Sequence, residues 1–137
     1  MEIKEIFIQT SKKQELIDIT SLIQEELEKL KNTSKKNVTS NGFVNVFVAH
    51  TTAGITINEN ADPDVKEDII NALKIFDKCQ FKHLEGNSPA HVKASLIGSS
   101  VLIPIENFKL KLGQWQGVMF AEFDGPRKRK IILNFYF

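Results

Sequence analysis

The chain has 137 residues, 42% of them hydrophobic and 26% charged, with a formal net charge of +1. These figures describe one globular domain able to bury a real core and exclude a disordered chain or a strongly cationic nucleic-acid binder. The one cysteine, Cys79, excludes an internal disulfide and fits a reducing cytoplasm, no run is apolar enough to span a membrane, and the opening Met1-Glu2-Ile3-Lys4-Glu5 is no signal peptide.

Ile6 and Ile8, alternating with Phe7 and Gln9, predict a strand, and Ile17 with Ile19 a second short one. A helix is expected from about Ser21, where Ser21 and Gln24 have capping-box spacing and Ile23, Leu27 and Leu30 supply a buried stripe. Residues 31–42 are polar and read as a surface loop. Residues 43–49, rich in Val and Phe, read as a strand buried on both faces, and residues 54–58 as another. Asp62-Pro63 opens a helix, with Asp as cap and Pro in the first turn, and Val65, Ile69, Ala72, Leu73 and Phe76 share one face.

Ser88-Pro89 repeats that start for a short helix to about Ile97, which puts His91, Ala94, Ser95 and Gly98 on one side. Residues 101–105 read as a strand that Pro104 assigns to an edge or an end. Leu110 and Leu112 alternate with Lys109 and Lys111 as a further strand. Residues 117–123 and 131–137 are the last two, joined by Asp124-Gly125-Pro126. With no repeat or linker, residues 1–137 form a single domain, α+β in class, built on an antiparallel sheet or sandwich with two or three helices.

Several groups can carry chemistry. The three histidines, His50, His83 and His91, each sit in a polar, small-residue stretch. Three convergent histidines with an open fourth position would suit zinc, but no compact ligand motif joins them, and three unrelated histidines fit the spacing equally. The stretch Glu59-Asn60-Ala61-Asp62-Pro63-Asp64 could hold Mg²⁺ or supply an acid and a base. Capping accounts for Asp62 and Asp64 and leaves Glu59 as the better functional candidate. Ser88, with the first N–H groups of its helix and Lys93 one turn on, could receive a phosphate. The run Arg127-Lys128-Arg129-Lys130 adds positive charge, or is a solvated strand edge with Arg127 and Arg129 on one face. Trp115, in Gly113-Gln114-Trp115-Gln116-Gly117, walls a pocket or fills the core. Cys79 reads as a small, part-buried hydrophobe.

Taken together, His50-Thr51-Thr52-Ala53, Asn58-Glu59-Asn60, Asp62-Pro63, Ser88-Pro89-Ala90-His91-Val92-Lys93, Gly98-Ser99-Ser100, Gly113-Gln114-Trp115-Gln116-Gly117 and Glu122-Phe123-Asp124-Gly125-Pro126-Arg127 resemble the YjbQ-like family, known as secondary thiamine-phosphate synthases. The resemblance implies a mostly antiparallel β-sandwich with helices, assembled as a homotrimer. It also implies one pocket lined by His50, His83 and His91, with a bound divalent metal, zinc or magnesium. Phe123 stands where some relatives carry a histidine, and Phe108 where relatives often have glycine.

Thiamine-phosphate synthesis joins a pyrimidine pyrophosphate to a thiazole phosphate and needs Mg²⁺ and cationic help for the leaving group. For it, Glu59 and Asp62 would hold the metal, Ser88, Lys93 and Arg127 the phosphate, and Thr51, Asn60 and Trp115 the pocket wall. Three histidines suit zinc better than Mg²⁺, which prefers oxygen. The leading expectation is a small cytoplasmic enzyme acting on a phosphorylated small molecule, with Glu59, Asp62 and His91 catalytic and weak thiamine-phosphate synthase activity. A zinc-dependent hydrolase and a non-catalytic metabolite- or metal-binding module are the alternatives, with neither nucleic acid nor membrane as partner.

Overall fold

A computed structural model describes residues 1–33 and 39–137. The elements run β1 (Glu2–Gln9), β2 (Glu15–Asp18), α1 (Thr20–Thr33), β3 (Gly42–Val48), β4 (Ala53–Glu59), α2 (Pro63–Leu73), a 3₁₀ turn (Lys74–Lys78), α3 (Ser88–Ile97), β5 (Ser100–Glu106), β6 (Lys109–Leu110), β7 (Gln116–Glu122) and β8 (Lys128–Tyr136). The strands make two antiparallel sheets, one ordered β1-β8-β3-β5-β6 and one ordered β2-β7-β4. The class is therefore α+β, as the pattern of strands and helices predicts.

The main core lies where the inner face of the larger sheet (Val44, Val46, Ile103, Ile131, Leu133, Phe135) meets the smaller sheet (Ile55, Val118, Phe120) and the stripe Ile23, Leu27 and Leu30 of α1. The smaller sheet is covered a second time on its other face. There Leu16, Met119, Ala121 and Phe123 pack against Ala90 and Ala94 of α3, with Ile69, Ile70 and Leu73 of α2 at the margin. Burial on both faces explains the unbroken apolar run of β7. Phe123 belongs to this second core and is 2% exposed.

The structure moves several sequence expectations. The expected buried-on-both-faces strand is β3, and it buries only one: Phe43 and Phe47 point outward while Val44, Val46 and Val48 point in. Valine and phenylalanine suit either face of a strand, so composition hid the alternation. Helix α1 runs through the expected loop as far as Thr33; the rest of that expectation partly falls on residues 34–38, outside the described residues.

The capping box does not form. Asp18 accepts from Thr20 N instead, and Gln24 reaches across to accept from Leu110 N and donate to the carbonyl of Phe108. Leu112 lies beyond β6, which is only two residues long. Within the basic run, residues 128–130 pair with β1 on one side only, the pairing with β3 starting at Ile131, and the Lys130 N–H goes to His50. Arg127 and Arg129 do not share surroundings: Arg127 is exposed and Arg129 is 3% exposed. Cys79 is exposed.

Candidate active site

The β3–β4 connection carries His50, Thr51 and Thr52, and α3 packs beside the start of β4. Gly54 makes this approach possible: a Cβ there would stand 2.7 Å from the carbonyl oxygen of Gly98. The result is a cleft of about 400 Å³ lined by His50, Thr51, Ala53, His91, Ala94, Ser95, Gly98 and Ser99. His91, Ala94, Ser95 and Gly98 are the four residues that helical spacing puts on one side of α3.

Backbone bonds fix both histidines. His50 Nε2 accepts from the backbone N–H of Lys130 at 2.9 Å. That nitrogen must be bare, so in the neutral ring the proton sits on Nδ1. His91 Nδ1 lies 3.2 Å from the carbonyl oxygen of Thr51. A carbonyl only accepts, so this Nδ1 carries a proton, and in the neutral ring Nε2 is then bare. Burial, then the positive charge of Arg129, pushes the His50 pKa below its usual value. One cleft thus holds a neutral imidazole with a free N–H and another with a free lone pair.

Beneath the cleft lies a buried ion pair. Glu122, at the end of β7, is fully buried and accepts from Arg129 Nε at 2.8 Å, from Arg129 Nη2 and from Thr10 Oγ1 at 2.7 Å. The backbone N–H groups of Phe123 and Asp124 complete its shell. Burial works to raise the Glu122 pKa, but the hydrogen bonds from Arg129, Thr10 and Asp124 hold the carboxyl below its usual range. Arg129 also donates from Nη2 to Thr52, at 2.9 Å to Oγ1 and 3.3 Å to the carbonyl oxygen. The pair joins the two sheets, since β7 and β8 belong to different ones.

His83 is placed differently. Its ring meets that of His91 edge-on at 5.4 Å between centroids, and its Nε2 lies 3.8 Å from Glu85. It is exposed and does not line the cleft. A three-histidine metal centre does not fit this arrangement. The lone pair of His50 Nε2 is committed to Lys130 and its Nδ1 carries a proton. Among the described residues no group of three His, Cys, Asp or Glu side chains is placed to hold a metal ion.

The expected phosphate ligands sit on the other side of α3. Lys93 is 1% exposed, and its ammonium donates to Gln14 at 2.8 Å and Asp77 at 2.7 Å. It lines a separate cavity of about 230 Å³ with Asn87, Pro89, Phe123 and Asp124. Arg127 pairs with Asp124 at 3.2 Å. Ser88 is the first residue of α3, whose cap is Asn87, not Ser88.

Glu59, Asn60, Asp62 and Trp115 gather at the far end of the smaller sheet. Glu59 ends β4, six residues from Ala53 at the cleft, a span of about 20 Å. Asp62 caps α2 by accepting from Asp64 N at 2.9 Å. Asn60 donates to Asp18 at 2.7 Å, and its backbone N–H donates to the carbonyl of Trp115. Trp115 is 59% exposed, so it is not the core tryptophan of the alternative expectation. Of the expected site residues, the cleft collects His50, Thr51 and His91.

The family described as UPF0047 protein YjbQ-like matches residues 4–136. A UPF0047 protein of Methanocaldococcus jannaschii is 51% identical over 129 residues, covering 93% of this chain and 88% of its own. YugU of Bacillus subtilis is 45% identical over 133 residues, 93% of each chain. Among solved structures, a YjbQ/UPF0047 family protein of Clostridium acetobutylicum superposes with a TM-score of 0.89 at 50% identity, over 97% of this chain and 99% of that one. A protein of Aeropyrum pernix gives a TM-score of 0.89 at 33% identity, over 99% and 98%. The chain belongs to the YjbQ-like UPF0047 family. These names state no activity, so the synthase label implied by the resemblance gains no support from them.

Proposed function

We propose that this YjbQ-like UPF0047 protein is an enzyme that moves protons on a small phosphorylated molecule bound in the His50–His91 cleft. The observation that carries the reading is the opposite set of the two rings: His91 Nε2 is bare and can take a proton, while His50 Nδ1 holds one to give. A volume of about 400 Å³ is of metabolite size. Thr51 and Ser99 line the same cleft, and a hydroxyl side chain is a donor suited to a phosphoryl oxygen.

Proton transfer is favoured over metal chemistry for this chain, since the bare nitrogen of His50 is already used by Lys130. Thiamine-phosphate synthesis is one reaction to assay. Its Mg²⁺-binding carboxylates would have to come from Glu59 and Asp62, about 20 Å along β4 from the cleft.

The partner of the chain in this reading is further copies of itself. Ile3, Phe7, Phe43, Phe47, Leu102 and Tyr136 stand exposed on the outer face of the larger sheet, which suits a homotrimer.

The test is turnover of phosphorylated metabolites by the wild-type protein, His50→Ala and His91→Ala, each with and without a chelator. Loss of at least about a hundredfold in both variants, with no chelator effect, is expected for general acid–base work. Unchanged turnover in both variants overturns the reading. Tight binding without product turns the site into a metabolite-binding module, and chelator-sensitive turnover restored by zinc turns it into a zinc hydrolase.

A further inference from the structure

We propose that the buried Glu122–Arg129 pair is the positioning element of the cleft, fixing the proton-bearing nitrogen of both His50 and His91. This inference rests on the proposed role of the two histidines. Its geometric basis is that each histidine's partner is the chain neighbour of a residue held by the pair. Lys130, whose N–H fixes His50, follows Arg129 itself. Thr51, whose carbonyl fixes His91, precedes Thr52, which Arg129 grips through both side chain and carbonyl.

Each connection is one residue long, and neither passes through a side chain that can turn away. The Phe123 N–H also donates to the Thr52 carbonyl at 3.1 Å, so the peptide is held from β7 as well. Thr10 closes the other side: it donates to Glu122 and accepts from the backbone N–H of Arg127 at 2.9 Å. The strand start that presents Lys130 is thereby fixed to the same carboxylate.

Stability alone gives weak reason for such a pair. Two buried charges lose hydration, and well-packed apolar residues of similar size often serve as well or better. What apolar residues cannot do is direct five hydrogen bonds at set angles. The planar guanidinium reaches a carboxylate and a threonine at once, and a lysine cannot reproduce that fork. The charged groups acting on His50 are Arg129, Lys130 and Glu122, and His91 faces the same cleft.

The experiment is nitrogen-15 NMR of the imidazole rings, which reports the tautomer and the titration of each histidine without any substrate. The wild-type protein is expected to show His50 and His91 each as a single Nδ1–H tautomer. In Arg129→Lys, which keeps the charge and loses the fork, and in the apolar double variant Glu122→Leu/Arg129→Met, both rings are expected to become tautomer mixtures. In the double variant both charges leave, and because Arg129 lowers the His50 pKa more than Glu122 raises it, the His50 midpoint moves up toward the ordinary 6.5. Either variant folded with both tautomers unchanged overturns the proposal. Two inactive histidines with the expected shifts would defeat the enzymatic reading and leave the positioning role standing.

Discussion

Lys130 donates its backbone N–H to Nε2 of His50 at 2.9 Å, and a protonated His50 would have to break that bond. Burial and Arg129 act in the same direction, so the folded His50 has a lower pKa than the unfolded chain. The unfolded state then binds the extra proton first as pH falls. The stabilising contribution is complete above the ordinary 6.5 and is lost as pH drops through the folded value. Thermal unfolding between pH 8 and pH 5 should therefore be steeper in pH for the wild type than for His50→Gln. Parallel slopes would show that His50 does not titrate as the geometry demands. Glu122 has the same sign in a lower window, since its contribution is held above the ordinary 4.5 and lost below it.

Lys93 and Asp77 make an asymmetric pair. The ammonium is almost wholly buried, whereas the Asp77 side chain is 39% exposed. Asp77→Ala leaves a buried charge with Gln14 alone and should cost about 2 kcal/mol. Lys93→Met removes that charge and returns Asp77 to water, for a change within about 1 kcal/mol. Urea unfolding of both variants decides it; a larger loss in Lys93→Met would show the ammonium to be a net stabiliser. Neither substitution should alter the His50–His91 cleft, because Lys93 lies on the opposite side of α3.

Patterns of spacing made α3 legible down to the face that lines the cleft, because a helix of known start places its residues by rotation alone. The pairing of His50 with His91 was not legible from spacing, since it depends on how close α3 approaches β4, and that rests on the missing side chain of Gly54. The same ignorance of distance made Glu59 and His50 look like neighbours: nine residues of chain say nothing about an extended strand between them. The Glu122–Arg129 pair left one sequence signal, a carboxylate inside the apolar run 118–123 followed by a basic run. Alternation along 127–130 put Arg127 and Arg129 on one face but could not show that Arg129 alone is buried, between exposed and half-exposed neighbours.

The outer face of the larger sheet should hold the proposed assembly together. Phe47 and Leu102 stand on adjacent strands, and Phe43 stacks on Tyr136 with ring centroids 4.7 Å apart. Lysine at two of these exposed positions, Phe47→Lys with Leu102→Lys, replaces apolar contact by repulsion and touches no inward side chain. Light scattering should show the mass fall to one third with the circular dichroism spectrum kept. A wild-type protein that already runs as a single chain would remove the trimer from the proposed function.

Phe108 offers a backbone test that leaves the cleft untouched. Asn107 and Phe108 form the two-residue turn between β5 and β6, both at positive φ, 52° and 57°. Such turns favour Asn-Gly, because a Cβ at the second position crowds the backbone. The phenylalanine is compensated by contact: its ring packs with Phe137 at 5.6 Å between centroids and borders the main core. Phe108→Ala and Phe108→Gly lose that contact equally and differ in the backbone alone. The glycine variant should be the more stable by about 1 kcal/mol despite its greater freedom when unfolded. Equal stabilities in urea unfolding would mean that the turn relaxes out of the left-handed region once the ring is gone.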